Sequence, residues 1–285
     1  MLSRQEIEAY DVKGYCSVEG VLTPAEVAEL RRVTEEFVEK SRGVTEHDEV
    51  FDLEPDHTPE FPKVRRLKSP VKAHPAYAAA LRNERILDIV AQLIGGDAIR
   101  TNGGKLNMKS AEFGSPVHWH QDWAFYPHTN DDLLAVGVAI DDMTGQNGCL
   151  MAIPGSHKGK IWDHHQDGCF AGAVTEAGFD DSEAELIEVE AGGISLHHVR
   201  ALHASLPNSS ANPRRLLLLQ YCAGDSWPLC QQLDWDQYCA SYVRGEPVLQ
   251  PRMEEVPWRL PLPPALRPGT IYETQTVLKS TTFGG

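Results

Sequence analysis

Paired cysteines, an excess of basic residues and long apolar runs are all missing from this chain. Its six cysteines (Cys16, Cys149, Cys169, Cys222, Cys230 and Cys239) include no Cys-x-x-Cys pair. That argues against a zinc ribbon or a dense disulfide framework. Acidic residues outnumber basic ones 41 to 26, for a formal charge of −15. Neither nucleic acid nor an anionic membrane is expected as a partner, because binding phosphates takes a concentration of Lys and Arg. The balance still leaves room for a local cation at an active site. No apolar run reaches the 18 residues of a membrane span, and Met1-Leu2-Ser3-Arg4-Gln5-Glu6 has no apolar signal core. The expected setting is the reducing cytoplasm.

No internal repeat or shift of composition marks a domain boundary, and 285 residues suit one domain with a sizeable core. Residues 1–285 are therefore read as a single domain. It has a helical region 1–96, a strand-rich core over about 97–225, and a C-terminal helix with a Pro-rich tail over 226–285. Ser3 to Tyr10 is read as a short helix and 14–18 as a brief extended piece. Thr23-Pro24-Ala25-Glu26 combines an N-cap, Pro at the first helical position and Glu three after the cap, a capping box. Val27, Leu30, Val33 and Phe37 then follow at helical spacing, to a stop near Gly43. The charged, Pro-interrupted stretch 44–72 is read as loop with one strand at most, and 75–94 as a helical region stopped by Gly95-Gly96. Short runs at 98–109, 134–141, 149–153, 186–189, 193–198 and 215–223 point to a β-sandwich or barrel. The long stretch 158–185 is read as an insertion or lid over the barrel mouth. A helix is expected over 233–243, before the tail prolines Pro257, Pro261, Pro263, Pro264 and Pro268.

Chemistry is concentrated in Pro116-Val117-His118-Trp119-His120-Gln121-Asp122-Trp123. On extended backbone, residues two apart face the same way, so His120 and Asp122 can converge on one metal ion. A second His from a later strand would complete a two-His-one-carboxylate triad, which leaves coordination positions open on Fe(II). Leu202-His203-Ala204-Ser205 offers that His, with Arg214 eleven residues further on.

His120-x-Asp122, then Asn147-Gly148-Cys149-Leu150-x-x-Ile153-Pro154-Gly155-Ser156-His157, then His203-x-Ser205 and Arg214 together resemble the phytanoyl-CoA dioxygenase-like family. The opening phrase Tyr15 to Thr23 is similar too, and the likeness covers roughly residues 5–223. The resemblance implies a mainly β fold: a double-stranded β-helix (jelly roll, cupin-like) with flanking N-terminal helices. It implies a non-haem Fe(II)/2-oxoglutarate-dependent dioxygenase with His120, Asp122 and His203 as metal ligands. O2 would be consumed and succinate and CO2 released as a small molecule is hydroxylated at a C–H bond. Arg214 would hold the distal carboxylate of 2-oxoglutarate in its guanidinium fork, with Ser205 adding a hydroxyl. Arg215 would point the other way on a strand. Lys105 and Asn107 alternate with apolar Leu106 and Met108 and are further candidate contacts for 2-oxoglutarate. The place where some members carry a pocket Trp is Ala139 here. Asp122 argues against the halogenating relatives, which have a small residue in its place. The acidic balance makes a CoA thioester unattractive, and a small natural product or amino-acid-like metabolite is expected.

Two other readings compete. His118 shares a strand face with His120, so His118, His120 and His203 would make a cupin-type enzyme working without 2-oxoglutarate; otherwise His118 is a pocket wall. The second competitor is a non-catalytic metal-binding jelly roll. His157 is read as a turn residue bonded to backbone, Asp141-Asp142 as a solvated turn, and the leucines at 216–219 as core. Trp119, Trp123, Phe125 and Tyr126 are either core packing or an apolar wall beside the metal.

Overall fold

The computed structural model describes residues 1–230, 234–257, 259, 264–267 and 269–283. Reciprocal caps start its first helices. Ser3 accepts from the Glu6 amide while the Glu6 carboxylate accepts from that of Ser3, opening α1 (Arg4–Lys13). Thr23 and Glu26 do the same for α2 (Pro24–Lys40), which buries Val27, Leu30, Val33 and Phe37 and ends in a 3-10 turn at Ser41–Gly43. A short α3 (Pro70–Ala73) ends the stretch expected as loop, and the stretch 75–94 expected as one helical region is two helices, α4 (Pro75–Leu81) and α5 (Glu84–Ile94). The last two part at Asn83, whose side chain caps α5 by accepting from the Arg85 amide.

The larger of two main sheets runs in spatial order β1 (Tyr15–Val18), β11 (Ile194–His198), β6 (Leu133–Ala139), β13 (Arg214–Ala223), β4 (Ile99–Lys109), β3 (Val64–Lys68) and β2 (Phe51–Leu53). β14 (Tyr242–Arg244) also pairs with β4. The smaller sheet runs β10 (Glu185–Ile187), β7 (Leu150–Ala152), β12 (His203–Ser205) and β5 (Val117–His120). The large sheet is the middle layer. Leu217, Leu219, Val136, Val138, Ile194 and Leu196 join the core built with α2, α4 and α5. The alternate side chains of the same strands line a chamber between the two sheets, against Val117, His120, Leu150 and His203. This is the jelly-roll arrangement expected.

Four details differ from the sequence reading. Residues 44–72 hold two strands, β2 and β3, because buried Asp52 takes Arg66 at 2.8 Å and Lys68 at 2.7 Å and so neutralises a charged edge. The leucine run is not all core: Leu216 and Leu218 face the chamber. Asp141 is no solvated turn residue, since the Arg215 guanidinium clasps both its oxygens at 2.7 Å. The 158–185 insertion covers more than a mouth. Trp162, Val174, Phe179 and Ala184 pack on Trp119, Leu202 and Ala204, the outer face of the small sheet. Its hairpin, β8 (His165–Gln166) with β9 (Cys169–Phe170), brings Phe170 against Phe125, ring centroids 4.8 Å apart. Of the helix expected at 233–243, α6 (Trp235–Ala240) is present and Leu233 lies outside the described residues, as do Pro261, Pro263 and Pro268. The tail adds α7 (Ile271–Gln275).

Gly148 precedes β7 with φ 75°, and a Cβ there would stand 2.2 Å from the Leu206 carbonyl oxygen. Gly148→Ala therefore combines left-handed strain with a backbone clash. It is expected to cost about 2–4 kcal/mol, read as a clear fall in the thermal unfolding midpoint.

Candidate metal centre and its chamber

His203 stands directly opposite His120 in the antiparallel pairing of β12 with β5. Their rings lie 4.0 Å apart between centroids. β5 ends at His120, and Gln121 keeps extended dihedrals before Asp122 opens a 3-10 turn. The alternation that turns Asp122 to the side of His120 thus survives past the strand end. Gln121, facing the other way and buried, anchors the motif. Its carbonyl oxygen accepts from the Trp162 amide at 2.9 Å, its NH2 donates to Arg200 O at 2.8 Å, and its own amide donates to His164 Nε2 at 2.9 Å.

Asp122 Oδ1 lies 3.8 Å from His120 Nε2 and 4.0 Å from His203 Nε2. Metal–ligand bonds of roughly 2.1 Å let one ion reach all three buried atoms. Both imidazoles are set for this role. His120 Nδ1 meets the carbonyl of His118 at 2.8 Å and His203 Nδ1 that of Ala201 at 3.0 Å. A carbonyl only accepts, so each Nδ1 carries the proton and each Nε2 presents a lone pair. Burial pushes the His120 imidazolium down to about 4, keeping the ring neutral. Burial likewise lowers His203 well below its usual value, with His120 and His197 adding to the effect. For Asp122, burial favours the protonated form, but His197, His203, Lys105 and His120 more than offset it and hold the carboxyl well below the carboxylate range.

The other expected residues share the chamber. Arg214, Ser205, Asn107 and Lys105 all line it. Arg214 is buried; its Nη2 donates to Gly148 O at 2.8 Å, while Nε and Nη1 have no partner among the described residues. Asn107 Oδ1 is likewise buried and unpartnered. Buried polar atoms of this kind are normally satisfied: the open Arg214 donors suit an acceptor or anion, and Asn107 Oδ1 suits a donor. Lys109, directly across from Arg214 in the β4–β13 register, is fully buried and donates to the Leu206 carbonyl. Burial and Arg214 together hold its ammonium well below the usual lysine range.

His118 is not in the group. Its ring stacks on Phe283 at 5.7 Å, and among the described residues the acid–imidazole set here is His120, Asp122 and His203. The His-x-His alternative thus has no geometric support. His157 donates to or accepts nothing at the site; its Nε2 meets Asp11 O at 3.0 Å, a turn role as expected. The aromatics divide. Trp119 and Trp123 are core, with Trp119 Nε1 donating to Asp181 at 2.7 Å. Phe125 and Tyr126 line an outer chamber. His47, Asp52 and Glu273 also cluster, but Arg66 and Lys68 already neutralise Asp52, and Arg65 stands 3.8 Å from Glu273.

Sequence reasoning missed three contributors. His197 lines the inner chamber beside His203, with ring centroids 4.2 Å apart; strand alternation in Ile194–His198 was a usable signal. Gln220 donates to the Tyr126 hydroxyl at 2.6 Å and joins both chambers. Ile271 comes from the tail, where no signal pointed to the site.

A model of the family described as phytanoyl-CoA dioxygenase (PhyH) matches residues 10–216. The chain belongs to the phytanoyl-CoA dioxygenase family. It is an oxidoreductase of the iron- and 2-oxoglutarate-dependent dioxygenase class. It is 36% identical to a probable alpha-ketoglutarate-dependent hypophosphite dioxygenase of Stutzerimonas stutzeri, over 98% of each chain. It is 26% identical to a methylphosphonate hydroxylase of Gimesia maris, over 78% of this chain and 81% of that one. In fold it is similar to the crystal structure of EctD from S. alaskensis with bound Fe, at a TM-score of 0.66 and 22% identity, covering 88% and 87% of the two chains. No helix among the described residues is long and apolar enough to cross a membrane.

His203→Ala and Asp122→Ala are each expected to weaken Fe(II) binding by more than about 100-fold. Iron content after equilibrium dialysis measures this; parent-like content in either variant would remove that residue from the ligand set.

Proposed function

We propose that His120, Asp122 and His203 hold the Fe(II) of this dioxygenase, that Arg214 anchors 2-oxoglutarate, and that the substrate is a small anion of the phosphinate or phosphonate kind. The carrying observation is the buried Arg214 fork, open at Nε and Nη1, in the same chamber as the three ligands. Bound iron and 2-oxoglutarate supply the oxidation: one atom of O2 goes to succinate with loss of CO2, the other into an X–H bond of the substrate.

The chain's own residues do the rest. Arg214 and Ser205 receive the distal carboxylate, and Asn107 and Lys105 face the remainder of the co-substrate. Lys105 is half-buried and carries no ion-pair partner among the described residues. Burial lowers its pKa while Asp122 raises it, so an arriving anion strengthens its charge. Asp122 is the one acid among the described residues lining either chamber, against Lys105 and Arg214, with Arg66 neutralised by Asp52. Fe(II) and 2-oxoglutarate cancel in charge, and Asp122 cancels one of the two cations. One positive charge is left over for the substrate.

The site has two compartments. The inner chamber is about 40 Å³ and leads to an outer one of about 310 Å³, sharing Lys105, Asp122, Gln220 and Ile271 as wall. Part of that wall is the tail, beyond the residues matched by the family. Gln275 fastens it, accepting from the His118 amide at 3.2 Å and donating to Gly172 O at 2.9 Å. The probable alpha-ketoglutarate-dependent hypophosphite dioxygenase matches this chain over 98% of its length, tail included.

Succinate release with 2-oxoglutarate and O2 tests the reading. Hypophosphite or methylphosphonate should stimulate it at least about tenfold, and the zwitterion L-proline should not; stimulation by L-proline alone would overturn the substrate class. Arg214→Ala should raise the KM for 2-oxoglutarate by about 100-fold, since a charge-assisted pair is worth about 2–3 kcal/mol; an unchanged KM removes the anchor.

Ile271→Ala should relax the size limit. The kcat/KM ratio of methylphosphonate to propylphosphonate is expected to fall about tenfold, the scale of one or two methylenes.

A further inference from the structure

His197 is buried in β11 and lines the inner chamber, yet neither ring nitrogen has a hydrogen-bond partner among the described residues. It is opposite Ala135 on one neighbouring strand and Tyr15 on the other. The small Ala135 leaves the imidazole free on the chamber side. His197 is not one of the residues whose ligand atoms cluster around a common point. It approaches the centre from behind: its Nε2 lies 3.8 Å from Asp122 Oδ2, while Oδ1 of the same carboxylate faces His120 and His203. The two oxygens of Asp122 are therefore differently placed, one toward the metal position and one toward an unpartnered imidazole.

We propose that His197 is a positioning residue: its Nε2–H takes the outer oxygen of Asp122 and holds that carboxylate to the metal through Oδ1 alone. A carboxylate free to turn can ligate through both oxygens. That would consume one of the positions an octahedral ion keeps for 2-oxoglutarate and O2. An N–H fixed on Oδ2 prevents it, in the way outer hydrogen bonds commonly orient metal ligands. The present 3.8 Å exceeds a hydrogen bond, and closing it takes a shift of about 1 Å. Phenylalanine in place of His197 would fill the space without a donor; glutamine would present an amide N–H near the position of Nε2.

The inference rests on the ligand assignment above, and Co(II) binding separates the two. Competition with a chelator gives the Co(II) affinity of parent, His197→Phe and His197→Gln, and 2-oxoglutarate is then titrated into each Co(II) form. His197→Phe is expected to lose 10–100-fold in Co(II) affinity and to bind 2-oxoglutarate more weakly as well. His197→Gln should recover most of both. Should the parent itself fail to bind Co(II), the ligand assignment falls. If the parent binds and His197→Phe stays within about twofold for both ligands, with an unchanged unfolding midpoint, the positioning role alone falls. Equal losses in the Phe and Gln variants would also overturn it, because they would trace to ring packing. Where His197→Phe does not fold, His197→Gln against His197→Asn decides. Only the longer amide reaches Asp122, so equal affinities overturn the proposal.

Discussion

The centre depends on the register of one short strand pair. His203 faces His120 because β12 and β5 align those residues, and a slip of one position would turn His203 out of the chamber. What fixes the register lies on the opposite face. Trp119, Leu202 and Ala204 alternate with the inward residues and are buried under Trp162, Val174 and Phe179 of the insertion. The apolar face thus sets which imidazoles meet, and the insertion that looked like a cover for the mouth is needed for ligand geometry. Gln121 ties the two together, since its side chain bonds the backbone of that same insertion.

A second constraint is electrostatic. Arg214 and three imidazoles line the inner chamber with Asp122 as its one carboxylate among the described residues, while Lys109, beside Arg214, also feels buried Glu54. Unpaired buried cations are costly, so such a group persists only where bound ligands return the missing negative charge. The neutral state of His120 and the low pKa of Asp122 have the same origin. Burial discharges the rings, while the surrounding positive dipoles and charges keep the acid ionised. Both protonation states are the ones that metal ligands need.

Much of this was legible because it is local. His120-x-Asp122 lies within three residues, and strand alternation separates inward Arg214 from outward Arg215, whose guanidinium takes Asp141. The capping boxes at Ser3 and Thr23 are equally short-range. Failures came where partners are distant. β2 and β3 look like loop because their charges, Asp52 and Arg66, cancel only across the hairpin. Asp141 seems solvated until Arg215 is brought to it. Strand alternation can place His197 on the inward face, but what it does there shows only once its ring is seen near Asp122. The single-domain reading of 1–285 has the tail wrapped on the core through Ile271 and Gln275 in its favour.

The division of labour along the chain explains why the reaction class was readable and the substrate was not. The proposed ligands and co-substrate contacts lie within residues 10–216, the part that matches the family. Ile271, Gly269 and Thr274, which shape the chambers, lie beyond it. They reach the site through weak devices: a five-residue helix, one glutamine bonded to two backbone groups, and the bridge of Ala265 to Phe170 on the hairpin. Such contacts follow no motif, since any small or apolar side chain can serve as wall. Substrate selectivity is therefore best sought in walls supplied from outside the part that matches the family, where burial of Ile271, Thr274 and Gln275 rather than a motif sets the shape.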